Sequence, residues 1–210
     1  GPLAVTTTDT LSSFVLGPHL KTFNDAYPGI LVELLLDTQY LNLSKRLADV
    51  AIRVTVAPPE TLVGRRLAGV AFAIYAARSY LAGLGRKPEL NEMTWLTLDE
   101  SLAHLGAYKW IKANVPDAPV ALRANNLHGL LTGASHGLGA ALLPCFMGDR
   151  DSGLRRLGEP IAEAGSTIWI LTHEDLRHTP RVRAFMDHMA AGITADAPML
   201  AGEIGPRSKA

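Results

Sequence analysis

Between Leu3 and Ala191, apolar runs of strand length alternate with stretches of three-to-four-residue periodicity, and this alternation constrains the fold most tightly. Residues 30–36 read Ile-Leu-Val-Glu-Leu-Leu-Leu, apolar at every position but Glu33. A continuous run of this kind suits a strand covered on both faces, as in a parallel sheet. Further strands are predicted over 3–6, 50–54, 62–67, 70–77, 95–98, 120–123, 139–143 and 167–172. Helices are predicted over 11–26, 43–47, 79–84, 103–113, 127–135 and 180–191, the last with Val182, Phe185, Met186 and Met189 on its core side. Pro18 should kink the first helix or restart it, because proline has no N–H for the ladder and its ring crowds the preceding turn. Residues 193–210, rich in Ala, Gly and Pro, read as a loose extension. The expected fold class is α/β, with mixed, mostly parallel sheets and helices on both faces.

A chain of 210 residues that is 48% hydrophobic can bury one large core or two smaller ones. Twenty Lys and Arg balance twenty Asp and Glu, which argues against an autonomous nucleic-acid binder. The lone Cys145 can form no internal disulfide and excludes a cysteine-rich metal site, which fits a reducing compartment and predicts a cytoplasmic protein. No run reaches the roughly 18 apolar residues of a membrane span. The chain has no initiator Met and opens on Gly1-Pro2, the pattern of a tag-cleavage remnant, so a piece of a longer protein is expected.

Two motifs suggest catalysis and fail on geometry. Residues 133–137 match G-x-S-x-G, but Ser135 closes a predicted helix, whereas a nucleophile elbow needs it between strand and helix. Gly137 reads instead as a left-handed helix cap. His173 and His178 resemble the zinc pair of H-E-x-x-H with one residue too many, which puts the two rings on different helix faces. The remaining histidines (19, 104, 128, 136 and 188) share no ligand spacing, and no phosphate loop is present. No metal, cofactor or enzymatic activity is therefore expected.

In open α/β sheets, ligands bind outside the carboxyl ends of the strands. Those ends supply Thr8, Asp9 and Thr10 after the first strand, Thr38 and Gln39 after the second, and Arg53 after the third. They also supply Thr97 and Leu98 at the end of a later strand, and Asn125 and Asn126 before a helix. Hydroxyls, amides and a guanidinium near helix starts favour a small anion. Two plainer readings stand beside this one. Thr8–Thr10 and Asn125-Asn126 could serve only as helix caps, and Arg53 could form an ion pair with Asp37 or Asp49. No general base pairs with a nucleophile in the set, which suits binding more than turnover.

Several segments, in order and spacing, resemble LysR-type transcriptional regulators. They are Pro28-Gly29-Ile30-Leu31-Val32-Glu33-Leu34, Asp49-Val50-Ala51-Ile52-Arg53, and Leu62-Val63-Gly64-Arg65-Arg66-Leu67. Further on come Ser79-Tyr80-Leu81, Gly137-Leu138-Gly139 running into Ala141-Leu142-Leu143-Pro144, and Arg181-Val182-Arg183-Ala184-Phe185. The resemblance implies an effector-binding domain of two Rossmann-like lobes, like type 2 periplasmic binding proteins. One lobe would hold residues 3–71 and 172–192, the other 72–171, with crossings near 67–72 and 170–173. It implies a small-molecule effector held in the cleft between the lobes, for which the strand-end residues predict an anion anchored by Arg53. A ligand touching both lobes would favour the closed form. It further implies a homodimer through helices that include residues 11–26, with a tetramer open to the full-length protein. DNA would be bound only by a winged helix-turn-helix absent from this sequence. Residues 41–48 are shorter than the corresponding helix of many relatives. A solute-binding protein of a transporter would share the fold and is the competing function.

Overall fold

The computed structural model describes residues 2–37 and 45–203. The chain divides into two compact units, Gly1–Gly69 with Thr167–Ala197, and Val70–Ser166 with Pro198–Ala210. Each is built on a five-stranded mixed sheet.

In the first unit the strands are β1 (Pro2–Thr7), β2 (Leu31–Leu36), β3 (Val50–Val54), β4 (Val63–Val70) and β10 (Ser166–Thr172), ordered β2-β1-β3-β10-β4. β1 runs parallel to both β2 and β3, and β10 runs antiparallel to β3, with Trp169 opposite Arg53. Because β10 pairs along its length with β3, residues 167–171 lie in the first sheet and not in the second lobe, where the sequence reading put them. The expectation that residues 30–36 are covered on both faces also fails. β2 is the terminal strand of its sheet, and Leu31 and Leu36 are 63% and 51% exposed. At the opposite side, β4 approaches β10 so closely that a Cβ on Gly64 would stand 1.9 Å from the Ile170 carbonyl oxygen.

The first helical stretch accommodates its proline without a break. A short turn α1 (Asp9–Leu11) leads into a π-helical segment, Ser12–Leu16, and then α2 (Gly17–Ala26). Pro18 cannot donate to the carbonyl four residues back, and a widened turn immediately before it relieves the clash that a regular α-turn would create. α2 packs against α7 (Pro180–Ala195), where Phe23 meets Phe185 edge-on at 5.1 Å. Val182, Phe185, Met186 and Met189 are all buried, as their spacing predicts.

The second sheet contains β5 (Phe72–Ala77), β6 (Trp95–Leu98), β7 (Val120–Ala124), β8 (Ala140–Pro144) and β9 (Leu154–Leu157), ordered β7-β6-β8-β5-β9. β6 is parallel to β7 and β8, while β5 is antiparallel to β8 and β9. Helices α3 (Arg78–Leu84), α4 (Gly106–Asn114) and α5 (Leu127–Ser135) flank it, and a short α6 (Cys145–Gly148) follows β8. α5 ends with Gly137 at φ +79°, the left-handed geometry expected there. Leu130 of α5 packs into one core cluster with Leu96, Leu98 and Leu143.

The tail is not loose over its described length. α7 runs on to Ala195, and a final turn α8 (Ala197–Leu200) carries Leu200 into full burial. The Ala71 amide donates to the Leu200 carbonyl at 2.9 Å. Arg156 donates from Nη1 to the Gly202 carbonyl at 3.1 Å while its guanidinium grips Asp149. Tyr75, in turn, donates its hydroxyl to Asp149 Oδ1 at 2.6 Å.

Burial, reinforced by the bond to Asp149, pushes the Tyr75 phenol far above its ordinary value, and burial raises the neighbouring Cys145 thiol. Both groups stay neutral when folded but ionise in the unfolded chain. Their stabilising contribution is therefore complete below the unfolded values and is lost as pH rises past them. Urea unfolding is expected to show stability falling from about pH 9 and more steeply above about pH 10, where Tyr75 adds about 1.4 kcal/mol per pH unit. Tyr75→Phe should remove the steeper phase; its persistence in the variant would assign the alkaline loss elsewhere.

Candidate strand-end binding sites

In the first unit, three adjacent parallel strands deliver their carboxyl ends to one place. Thr7 Oγ1 donates to the Ile52 carbonyl at 2.9 Å, and the Asp37 amide donates to the Thr7 carbonyl at 3.0 Å. Arg53, at the end of β3, is 3% exposed. It donates from Nη2 to Thr6 Oγ1 at 2.6 Å and to Asp37 Oδ1 at 2.8 Å, and from Nη1 to the Asp37 carbonyl at 2.6 Å. The guanidinium thus ties the ends of β1, β2 and β3 together. Of the two readings of Arg53, the ion pair with Asp37 is the geometry observed. Asp49 is engaged elsewhere, accepting from the Ala4 amide at 3.0 Å.

Thr8 and Asp9 shape the turn that follows β1. Thr8 Oγ1 accepts from the Leu11 amide at 3.2 Å as an N-cap, and Asp9 Oδ1 accepts from the Thr10 amide at 2.9 Å. Thr10 is buried. Thr38 and Gln39 lie outside the described residues.

In the second unit the neighbouring strands β6 and β7 end together, with Leu98 opposite Ala124 and the Asp99 amide donating to the Ala124 carbonyl at 2.9 Å. Asp99 Oδ1 accepts from the Ser101 amide at 3.0 Å, which starts the next turn. Asn126 caps α5, its Oδ1 accepting from the Gly129 amide at 2.8 Å. Asn125 beside it is exposed, Thr97 is half-buried and Leu98 is buried. The structure therefore gathers Thr8, Asp9, Thr10 and Arg53 within one unit, and Thr97, Leu98, Asn125 and Asn126 within the other. Thr6 was missed from sequence. Its signal was a hydroxyl near the end of a strand, facing the same way as Ala4.

Of the residues that suggested catalysis, His173 is buried with its Nε2 meeting no hydrogen-bond partner among the described residues, and the others are engaged structurally. Ser135 Oγ donates to Asp151 Oδ2 at 2.6 Å, and His136 Nδ1 bonds back to the Thr132 carbonyl of its own helix at 2.8 Å. His178 Nε2 accepts from Arg177 Nε at 2.9 Å. Among the described residues no three His, Cys, Asp or Glu side chains are placed to share a metal ion, and no helix is long and apolar enough to cross a membrane.

Known proteins bear the same architecture. The regulatory domain of CrgA, a LysR-type transcriptional regulator of Neisseria meningitidis, superimposes with a TM-score of 0.77 at 25% identity, covering 92% of this chain and 98% of that one. The AmpR effector domain of Pseudomonas aeruginosa gives a TM-score of 0.76 at 19% identity, covering 93% and 96%. An HTH-type transcriptional repressor of Pseudomonas aeruginosa is 28% identical over 94 residues, which are 45% of this chain and 30% of that protein. The chain thus matches under a third of the length of that curated relative. These similarities to regulators disfavour the transporter alternative. The pattern of the LysR substrate binding domain matches residues 1–193. With both sheets and nearly the whole sequence accounted for in this way, the chain belongs to the LysR substrate-binding domain family, whose fold is of the type 2 periplasmic-binding-protein kind.

Proposed function

We propose that this chain senses a small-molecule effector for a LysR-type regulator acting in the cytoplasm, and that its effector is bound and released unchanged. The observation that carries the reading is the convergence of parallel strand ends on hydroxyl- and amide-bearing helix starts in each unit. Thr8, Asp9 and Thr10 serve the effector in the first unit, as do Thr97, Leu98, Asn125 and Asn126 in the second. Thr38 and Gln39, next along the chain from Asp37, are proposed with the first set. The effector is an anion, because backbone N–H groups at helix starts favour negative charge. Arg53 acts as a positioning residue, since its guanidinium is already committed to Thr6 and Asp37. The whole protein is a homodimer, the commonest closed assembly, or a tetramer, and touches DNA through a separate domain. The effector shifts that assembly only by the difference in its affinity for the alternative conformations.

The test is thermal-shift screening with small carboxylates and aromatic acids. A true effector at a hundredfold over its Kd should add about 2.7 kcal/mol of stability. Thr8→Ala and Asn126→Asp should each reduce that gain. Chemical turnover of the stabilising compound, or a gain indifferent to both variants, would overturn the proposal.

A further inference from the structure

The second unit contains a cavity of about 450 Å³ between β6 and α4, within the size range of small-molecule sites. Its apolar wall includes Trp95, Ile111, Val115 and Leu142. Trp95 is fully buried behind this wall, with its indole N–H donating to the Leu90 carbonyl at 2.8 Å, and Ile111, which is half-buried, supplies accessible apolar surface in front of it. Tyr108 adds a second aromatic ring to the lining.

The charged groups along the cavity are unequally engaged. Asp99 is held by the Ser101 amide and hydroxyl, and Glu100 is exposed to solvent. Lys112 stands 5.5 Å from the Tyr108 ring centre, and neither it nor Arg123 has an ion-pair partner among the described residues. Arg123, which lines the cavity, lies opposite Thr97 in the β6–β7 register, and β7 is the terminal strand of its sheet. The lining thus includes an exposed cation on a terminal strand.

We infer that this cavity is a second ligand site, taking an amphipathic monoanion whose flat apolar body lies against Tyr108 and Ile111 and whose carboxylate meets Arg123 and Lys112. Burying an apolar body there removes its surface from water, and the two cations select a negative head group over a neutral one. Thr97 and Leu98 border the cavity and also the strand-end set, but Trp95, Ile111 and Val115 belong to the cavity alone. The inference therefore stands without the proposed function.

The probe is 2-naphthoate, titrated by calorimetry and by tryptophan fluorescence, with neutral 2-naphthamide as control. One-to-one binding is expected, with the amide weaker by about tenfold and Arg123→Gln weakening naphthoate by at least about tenfold, the scale of a lost charge-assisted bond. Arg123 is exposed, so that variant should fold. Ile111→Trp, filling the cavity, should abolish binding while leaving the circular-dichroism spectrum intact, and Thr8→Ala should leave binding unchanged. If Ile111→Trp misfolds, Lys112→Gln combined with Arg123→Gln replaces it and should weaken naphthoate beyond either change alone. Equal affinity for acid and amide overturns the inference. So do loss of binding in Thr8→Ala, retention in Ile111→Trp, and no binding at millimolar concentration. Failure of Thr8→Ala and Asn126→Asp to affect any effector would strike the strand-end proposal alone.

Discussion

Arg53→Ala is expected to destabilise the first unit by about 3–5 kcal/mol, the usual cost of removing one partner from a buried ion pair. The substitution strands Asp37, whose side chain is 25% exposed, beside a newly opened space, and it removes the donor from the buried Thr6 hydroxyl. A typical domain is stable by only about 5–15 kcal/mol, so the loss should be plain in urea unfolding. The pair itself need not be strongly stabilising. Arg53→Met with Asp37→Asn removes both charges while keeping volume, and should recover much of the deficit. A double-mutant cycle over the two positions measures the coupling. Arg53→Ala within about 0.5 kcal/mol of the parent would show that the three strand ends hold together without the guanidinium.

The second large effect is expected at the other end of the chain. Leu200→Ala should cost about 2–5 kcal/mol, because it empties a fully enclosed site. The Leu200 carbonyl also accepts the Ala71 amide, which lies directly before β5. Hydrogen exchange at Ala71 should therefore quicken in the variant. Ending the chain after Ala197 should cost more, since the Gly202 carbonyl then no longer meets Arg156. Unchanged Ala71 protection in both variants would mean that the final turn rests on the unit without supporting it.

Much of this fold could be read from local pattern, and what could not be read depends on distant neighbours. Among the described residues, nine of the ten strands coincide with predicted segments because each carries its own apolar run. β9 does not, since Leu154 and Leu157 bracket two arginines and its pairing is to β5, far away in sequence. The apolar content of residues 30–36 gave no hint that β2 would close one side of its sheet, because strand order is a property of the partners. Thr8 and Asn126 were legible as caps from residue type and position. The pairing of Arg53 with Asp37 was one of two readings, and only tertiary geometry separates them. The tail misled because its composition is loop-like, although the buried Leu200 side chain and the Gly202 carbonyl anchor it.

The two sheets also differ in when they can be completed. Every strand of the second sheet falls between Phe72 and Leu157. The first sheet needs β10, which pairs Ile168–Thr172 with Val50–Val54 across more than a hundred intervening residues. Closing so long a loop costs entropy before its contacts repay it. On the ribosome, where the chain emerges from its N-terminus onward, β1–β3 must wait with one side of β3 unpaired until the second sheet has been synthesised in full. Folding is thus expected to proceed from the inserted segment outward, with the earliest-made residues among the last to be sealed.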